Sequence, residues 1–305
     1  MIRKTLIFAL AGVLAVLTSS AAALELSAGD LPENSHWYFH ANIGQLRNSE
    51  LLAPFYAETI GEAESEIQAE LGLDLHGELM AVTAYGSSFG PDSATVLLHG
   101  LTDATQKLML DAATEHANVV EFDYAGVSYF QIQGDKEEGR HHGGPDAMLI
   151  AFGPDQTLVT SDVEAVRNFV DLGSHLALGE SSATGPILVI RADQSLMQGG
   201  LRKGGHSSGP FDSSIMENID QVAMVLSETA AGIVLRAEVQ ARDAATASYV
   251  HNIVQGLVSL KALDAGNDPE VNLLLNQLVI ETNDANVNMN VTVPPELARQ
   301  LVDSL

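Results

Sequence analysis

Apolar residues along this chain fall into two spacings. Between Gly232 and Gln240 they alternate, with Ile233, Leu235, Ala237 and Val239 on one side and Val234, Arg236, Glu238 and Gln240 on the other, as in a half-buried strand. Val222, Met224 and Leu226 give the preceding strand the same period, and the link from Glu228 to Gly232 is short enough for an antiparallel hairpin. From Asp243 the period lengthens. Val250, Ile253, Val254, Leu257 and Leu260 recur at helical spacing, so a helix is expected to lay this stripe on the sheet.

The same order of elements occurs earlier. A strand from His36 to Ile43 carries Trp37, Phe39 and Ala41 on one face, and a helix is expected from about Ser49 to Leu71. Its inward residues are Leu52, Phe55, Tyr56, Ile60, Ala63 and Ile67, with Glu58, Glu62, Glu66 and Glu70 outside. Pro54 fits only in or near the first turn of that helix. The stretches 79–85 and 94–99 form a hairpin, and a helix follows over about 103–115, opened by a capping box of Asp103 and Gln106. Hairpins over 119–133 and 147–160 and a helix over 162–172 complete the half.

The second half repeats this order. Arg191-Ala192-Asp193 corresponds to His40-Ala41-Asn42, and Asp243-Ala244-Ala245 to Asp103-Ala104-Thr105. A hairpin over 278–293 and a helix over 295–302 close the chain. The pattern predicts an α+β fold of two tandem related units, each an antiparallel sheet with helices packed on one face, in the order β-α-β-β-α plus hairpin and helix. The units are expected at 24–173 and 186–305, joined by a link at 174–185.

Residues 1–23 have the layout of an export signal. Arg3 and Lys4 precede an apolar run from Leu6 to Leu17, shorter than the roughly 20 residues of a bilayer span, and Ala21-Ala22-Ala23 offers small residues for cleavage. The mature chain is then expected to start at Leu24, to be soluble, and to work in the periplasm or outside the cell, with no stable membrane insertion. It has no cysteine, so neither disulfides nor a lipid-modified cysteine are open to it.

Charge narrows the partners. The mature chain carries 12 basic against 40 acidic residues, a formal charge of −28. Nucleic acid and anionic lipid both need a basic surface to displace counterions, so neither is an expected partner.

Candidate chemistry is sparse. Gly205-His206-Ser207-Ser208-Gly209 matches G-x-S-x-G, the nucleophile elbow of serine esterases, but Ser207 follows a glycine-rich loop rather than a buried strand. Gly86-Ser87-Ser88-Phe89-Gly90 matches the same pattern where a hairpin turns. His141, His142 and Asp146 lie in a turn-rich loop over 135–146 whose side chains suit a divalent metal, without the spacing of a structural site. His36 and His40, four residues apart on an extended strand, stand about 13 Å apart and do not share a metal. Asp264 to Glu270 supplies turn oxygens without the register of a calcium loop. No cofactor motif is present. The sequence reading favours a non-enzymatic exported protein that binds an unidentified ligand or protein partner through a sheet face or a groove between the units. A Ser207 hydrolase and a metal binder using the 135–146 loop are the alternatives.

Overall fold

The computed structural model describes residues 35–88, 93–133, 147–171, 186–195, 217–266 and 269–303. The elements of the first half are β1 (Trp37–Ala41), α1 (Ile43–Asn48), α2 (Ala53–Tyr56), a π-turn (Ala57–Gly61), α3 (Glu62–Leu71), α4 (Leu75–Glu78), β2 (Ala81–Gly86) and β3 (Ala94–His99). They continue as α5 (Asp103–His116), β4 (Asn118–Tyr124), β5 (Val127–Gln133), β6 (Met148–Gly153), β7 (Gln156–Thr160) and α6 (Val163–Asp171). The second half holds β8 (Leu188–Asp193), β9 (Ile219–Thr229), β10 (Gly232–Ala241), α7 (Ala244–Ala265), α8 (Pro269–Gln277), β11 (Val279–Asn283), β12 (Asn286–Val293) and α9 (Pro295–Asp303).

The fold is α+β, and the strands among the described residues form one antiparallel sheet of 12 in the order β11-β12-β10-β9-β8-β1-β2-β3-β7-β6-β5-β4. Outward from the centre, β1-β2-β3-β7-β6 on one side is answered by β8-β9-β10-β12-β11 on the other. The pair β5 and β4 extends the first side only. The two sides meet through β1 and β8, which are hydrogen-bonded neighbours from Trp37↔Ala192 to Ala41↔Leu188. That ladder takes the place of a groove between units.

One face of the first side carries Trp37, Phe39, Ala84, Val96, Ile150 and Val159, the alternating set legible in the sequence. Ile43 and Leu46 of α1, Tyr56 of α2 and Met109 of α5 pack on the same face, against Ala41, Val82 and Leu98. On the second side that face receives α7, through Ala247, Val250 and Val254, and α9, through Ala298 beside Ile233. α6 lies on the other face, where Val166 is wholly buried among Tyr38, Leu97, Leu149 and Leu158. Gly232 (φ +120°) marks a close approach: a Cβ there would sit 2.0 Å from the Val293 carbonyl oxygen.

Local chemistry departs from the sequence reading in three places. The helix expected over 49–71 starts at Ala53 and runs through α2, the π-turn and α3, while the end of the strand expected over 36–43 gives way to a separate helix, α1, capped by Asn42. α5 is capped by Thr102, whose hydroxyl accepts from the Thr105 N–H, and not by an Asp103–Gln106 box. Gln106 turns inward instead and donates to the carbonyls of Gly153 and Gln156. The third departure is the α7 stripe. Val250 is buried, but Leu257, on the same side, is exposed, because a helix of 22 residues is about 33 Å long and its buried residues lie in the first half. Leu260 is exposed because it lies about 80° around the helix from Val250, toward the side turned away from the sheet.

Candidate functional site

The residues singled out from the sequence do not gather at one place. Ser207, His206, His141, His142 and Asp146 fall outside the described residues, as does the link at 174–185. Ser88 is a turn residue whose hydroxyl donates to Ser93 and whose carbonyl accepts from the Trp37 indole at 2.9 Å. His36 pairs with Asp193 of β8 at 2.7 Å. Asp264 is bound to Lys261 at 2.8 Å. Among the described residues, no group of three or more His, Cys, Asp and Glu is placed to hold a metal ion.

Tertiary packing instead brings together two polar clusters. The first lies where α1, α2, α3 and α4 converge. Eight residues separate Tyr56 from Glu64, which would leave them about 80° apart on a regular helix. The π-turn between them absorbs one residue and returns Glu64 to the side of Tyr56. The Tyr56 hydroxyl donates to Glu64 Oε2, which also lies 3.1 Å from His76 Nδ1 on α4. Arg47 of α1 donates from Nε to the Tyr56 hydroxyl at 3.3 Å, lies over its ring, and donates to the Leu79 carbonyl at 2.8 Å. Glu64 is buried, and among the described residues its Oε1 has no hydrogen-bond partner. Burial, followed by the bond to Glu64, pushes the Tyr56 phenol up to about 12. His76 is the member that reaches solvent. The cluster is a carboxylate, a phenol and an imidazole that can pass a proton, and it also ties α1, α2, α3 and α4 together.

The second cluster sits inside the sheet. Thr83 Oγ1 of β2 lies 2.9 Å from His40 Nδ1 of β1 and 2.9 Å from His99 Nε2 of β3, and all three residues are buried. A hydroxyl has one proton, so it donates to one imidazole and accepts from the other, which couples the two tautomers. Burial lowers both histidines to about 4, and His40 adds to the effect on His99. At neutral pH the pair is uncharged.

The sequence reading does not single out either cluster, although it holds one signal. Glu64 interrupts the apolar series Tyr56, Ile60, Ile67 at helical spacing, and a carboxylate in such a position needs a buried partner. Nothing local marks His40, Thr83 and His99 as neighbours; β-register alone joins them.

The third feature is a surface. On the side of α7 turned away from the sheet, Tyr249 is 65% exposed, Leu260 64% and Leu263 80%. Leu257, Leu273 of α8 and Val279 of β11 are exposed nearby in the chain order. Scattered apolar residues are ordinary on a surface, but four on one helix are a patch.

No protein-family model and no curated protein matches the chain. Three solved structures of TP0453 show a distant likeness. Crystal form III is 9% identical, with 89% of this chain and 95% of that chain covered and a TM-score of 0.47. Crystal form I is 10% identical over 93% and 98%, with a TM-score of 0.46. Crystal form IV is 10% identical over 93% and 96%, with a TM-score of 0.47.

Proposed function

We propose that this is an exported, non-enzymatic interaction protein of the bacterial periplasm or cell surroundings, which presents the outward side of α7 to a polypeptide partner. The observation that carries the reading is the exposure of Leu260 and Leu263, at 64% and 80%, on a helix whose other side is docked. Leaving two leucines in water forgoes about 1.5–3 kcal/mol each that burial would supply. A partner that covers them recovers it. The signal-like layout of residues 1–23 supports a partner outside the cytoplasm, and the charge of the chain from Leu24 onward supports a partner that is not anionic. Among the described residues, no helix is long and apolar enough to cross a membrane.

The experiment has two readouts. Protein recovered from the cell envelope should begin at Leu24 by intact mass; a species that still carries residues 1–23 removes export with cleavage. A photoactivatable crosslinking residue in place of Leu263 should give covalent adducts in the exporting cell, whereas one in place of exposed Glu66 on α3 should not. Equal adducts from both positions, or none from Leu263, overturn the assignment of the surface.

A further inference from the structure

The outward residues of α7 have a spacing of their own. Exposed Tyr249, Gly256, Leu260 and Leu263, with half-buried Ile253 at the edge, follow each other by four, three, four and three residues, the seam spacing of a helix that packs on another helix. At about 100° per residue this seam is centred roughly 135° around the helix from docked Ala247, Val250 and Val254. It is also close to its own complement. Reversed about Gly256, the list sets Tyr249 against Leu263 and brings Ile253 to within one residue, about 1.5 Å, of Leu260, a near match of the kind a two-fold contact between identical surfaces uses.

Gly256 stands at the midpoint. A glycine inside a helix costs about 1 kcal/mol relative to alanine. Among the described residues nothing requires it, since a Cβ there would meet no atom of theirs within 4 Å. A helix crossing at that point does use it, because the missing side chain lets two backbones approach.

Charge selects the same place. The mature chain carries −28, so two copies repel over most of their surfaces. α7 is an exception: its only acidic and basic residues are Asp264 and Lys261, bound to each other, and His251 lies 3.0 Å from Thr282. The seam spans 15 residues, about 22 Å, and at about 10 Å wide a single helix face of that length covers on the order of 200 Å² in projection, well below the roughly 800 Å² per partner of a standard interface. The contact is therefore weak and dependent on concentration.

We propose that the partner of this surface is a second copy of the chain, joined through an antiparallel α7 pair that crosses at Gly256. The proposal rests on the reading of α7 as an interaction surface and names its occupant.

Sedimentation of the mature protein from micromolar to near-millimolar concentration tests it. The weight-average mass should rise toward that of a dimer, and more readily at higher salt, because screening weakens the overall repulsion. Leu260→Gln should hold the chain monomeric over the same range. Gly256→Ala should raise the thermal midpoint of the dilute monomer and shift association to higher concentration, opposite effects that a merely structural glycine would not give. The chain has no cysteine, so Gly256→Cys reports the crossing directly: on mild oxidation it should form a covalent dimer at least tenfold faster than Gln255→Cys, one position around the helix. A chain monomeric at every concentration, equal crosslinking at the two positions, or binding of the monomer to zwitterionic vesicles in place of itself overturns the proposal. If the chain stays monomeric but a crosslinker at Leu263 captures a different polypeptide, the homodimer fails and the surface reading stands. If neither occurs, both fail.

Discussion

Phe39 of β1 lies directly opposite Ile190 of β8, and the two are also counterparts in the repeat that sets His40-Ala41-Asn42 against Arg191-Ala192-Asp193. Residues on either side keep the relation: Trp37 pairs with Ala192, the counterpart of Ala41, and Ala41 pairs with Leu188, the counterpart of Trp37. A single antiparallel ladder, β1 with β8, therefore makes one sheet of the two sides.

A shared central ladder should make unfolding cooperative. Phe39→Ala removes a buried ring at the join and should cost about 3–5 kcal/mol. Calorimetry should show one transition in both the parent and the variant. Two separated transitions would mean that the halves unfold independently and that the β1–β8 ladder does not couple them.

The His40–Thr83–His99 cluster predicts loss of stability in acid. Both histidines titrate near 4 in the fold and near 6.5 when unfolded. Their contribution is fully present above pH 6.5. As pH falls from 6.5 to 4 the unfolded chain takes up protons that the folded chain refuses, and on the order of 3 kcal/mol per imidazole is lost. Urea unfolding followed across that range should show a falling free energy, with a shallower slope in His99→Leu. An unchanged slope in the variant would assign the acid sensitivity to other groups.

Tyr56 and Glu64 should behave as one unit. Tyr56→Phe removes the hydroxyl that donates to a buried carboxylate and should cost about 1–3 kcal/mol. Glu66→Gln, on the exposed side of the same helix, should stay within about 0.5 kcal/mol. Comparable losses from the two, read from urea midpoints, would show that the cluster does not hold α1, α2, α3 and α4 together.

Position along α7 should decide the cost of truncation in the dilute monomer. Val250 is buried against Val239 and Val287, and Val250→Ala should cost about 1–3 kcal/mol. Leu260→Ala and Leu257→Ala should each change stability by no more than about 0.5 kcal/mol, although leucine is the larger residue. A larger loss at Leu260 than at Val250 would place the far half of α7 on the sheet.

The sequence by itself determined the alternation that makes the strands, the hairpins closed by short turns, the start of α7 at Asp243, and the repeat of order that places β1 against β8 in kind. Those features are carried by residues near one another along the chain, where period and capping act. Asp243, for example, accepts from the Thr246 N–H three residues away, as its position at the start of the apolar stripe implies. Tertiary structure decided what depends on distant segments. Leu257 lies two turns on from Val250 on the same side of the helix, yet it is exposed, because where the covered part of the helix ends is set by the sheet beneath and not by period. His40, Thr83 and His99 come from three strands and meet only through register, and Glu64 reaches Tyr56 only because one turn of the helix is widened. Local pattern fixes which side of an element is apolar; packing fixes how much of that side is used, and which polar residues it leaves facing one another.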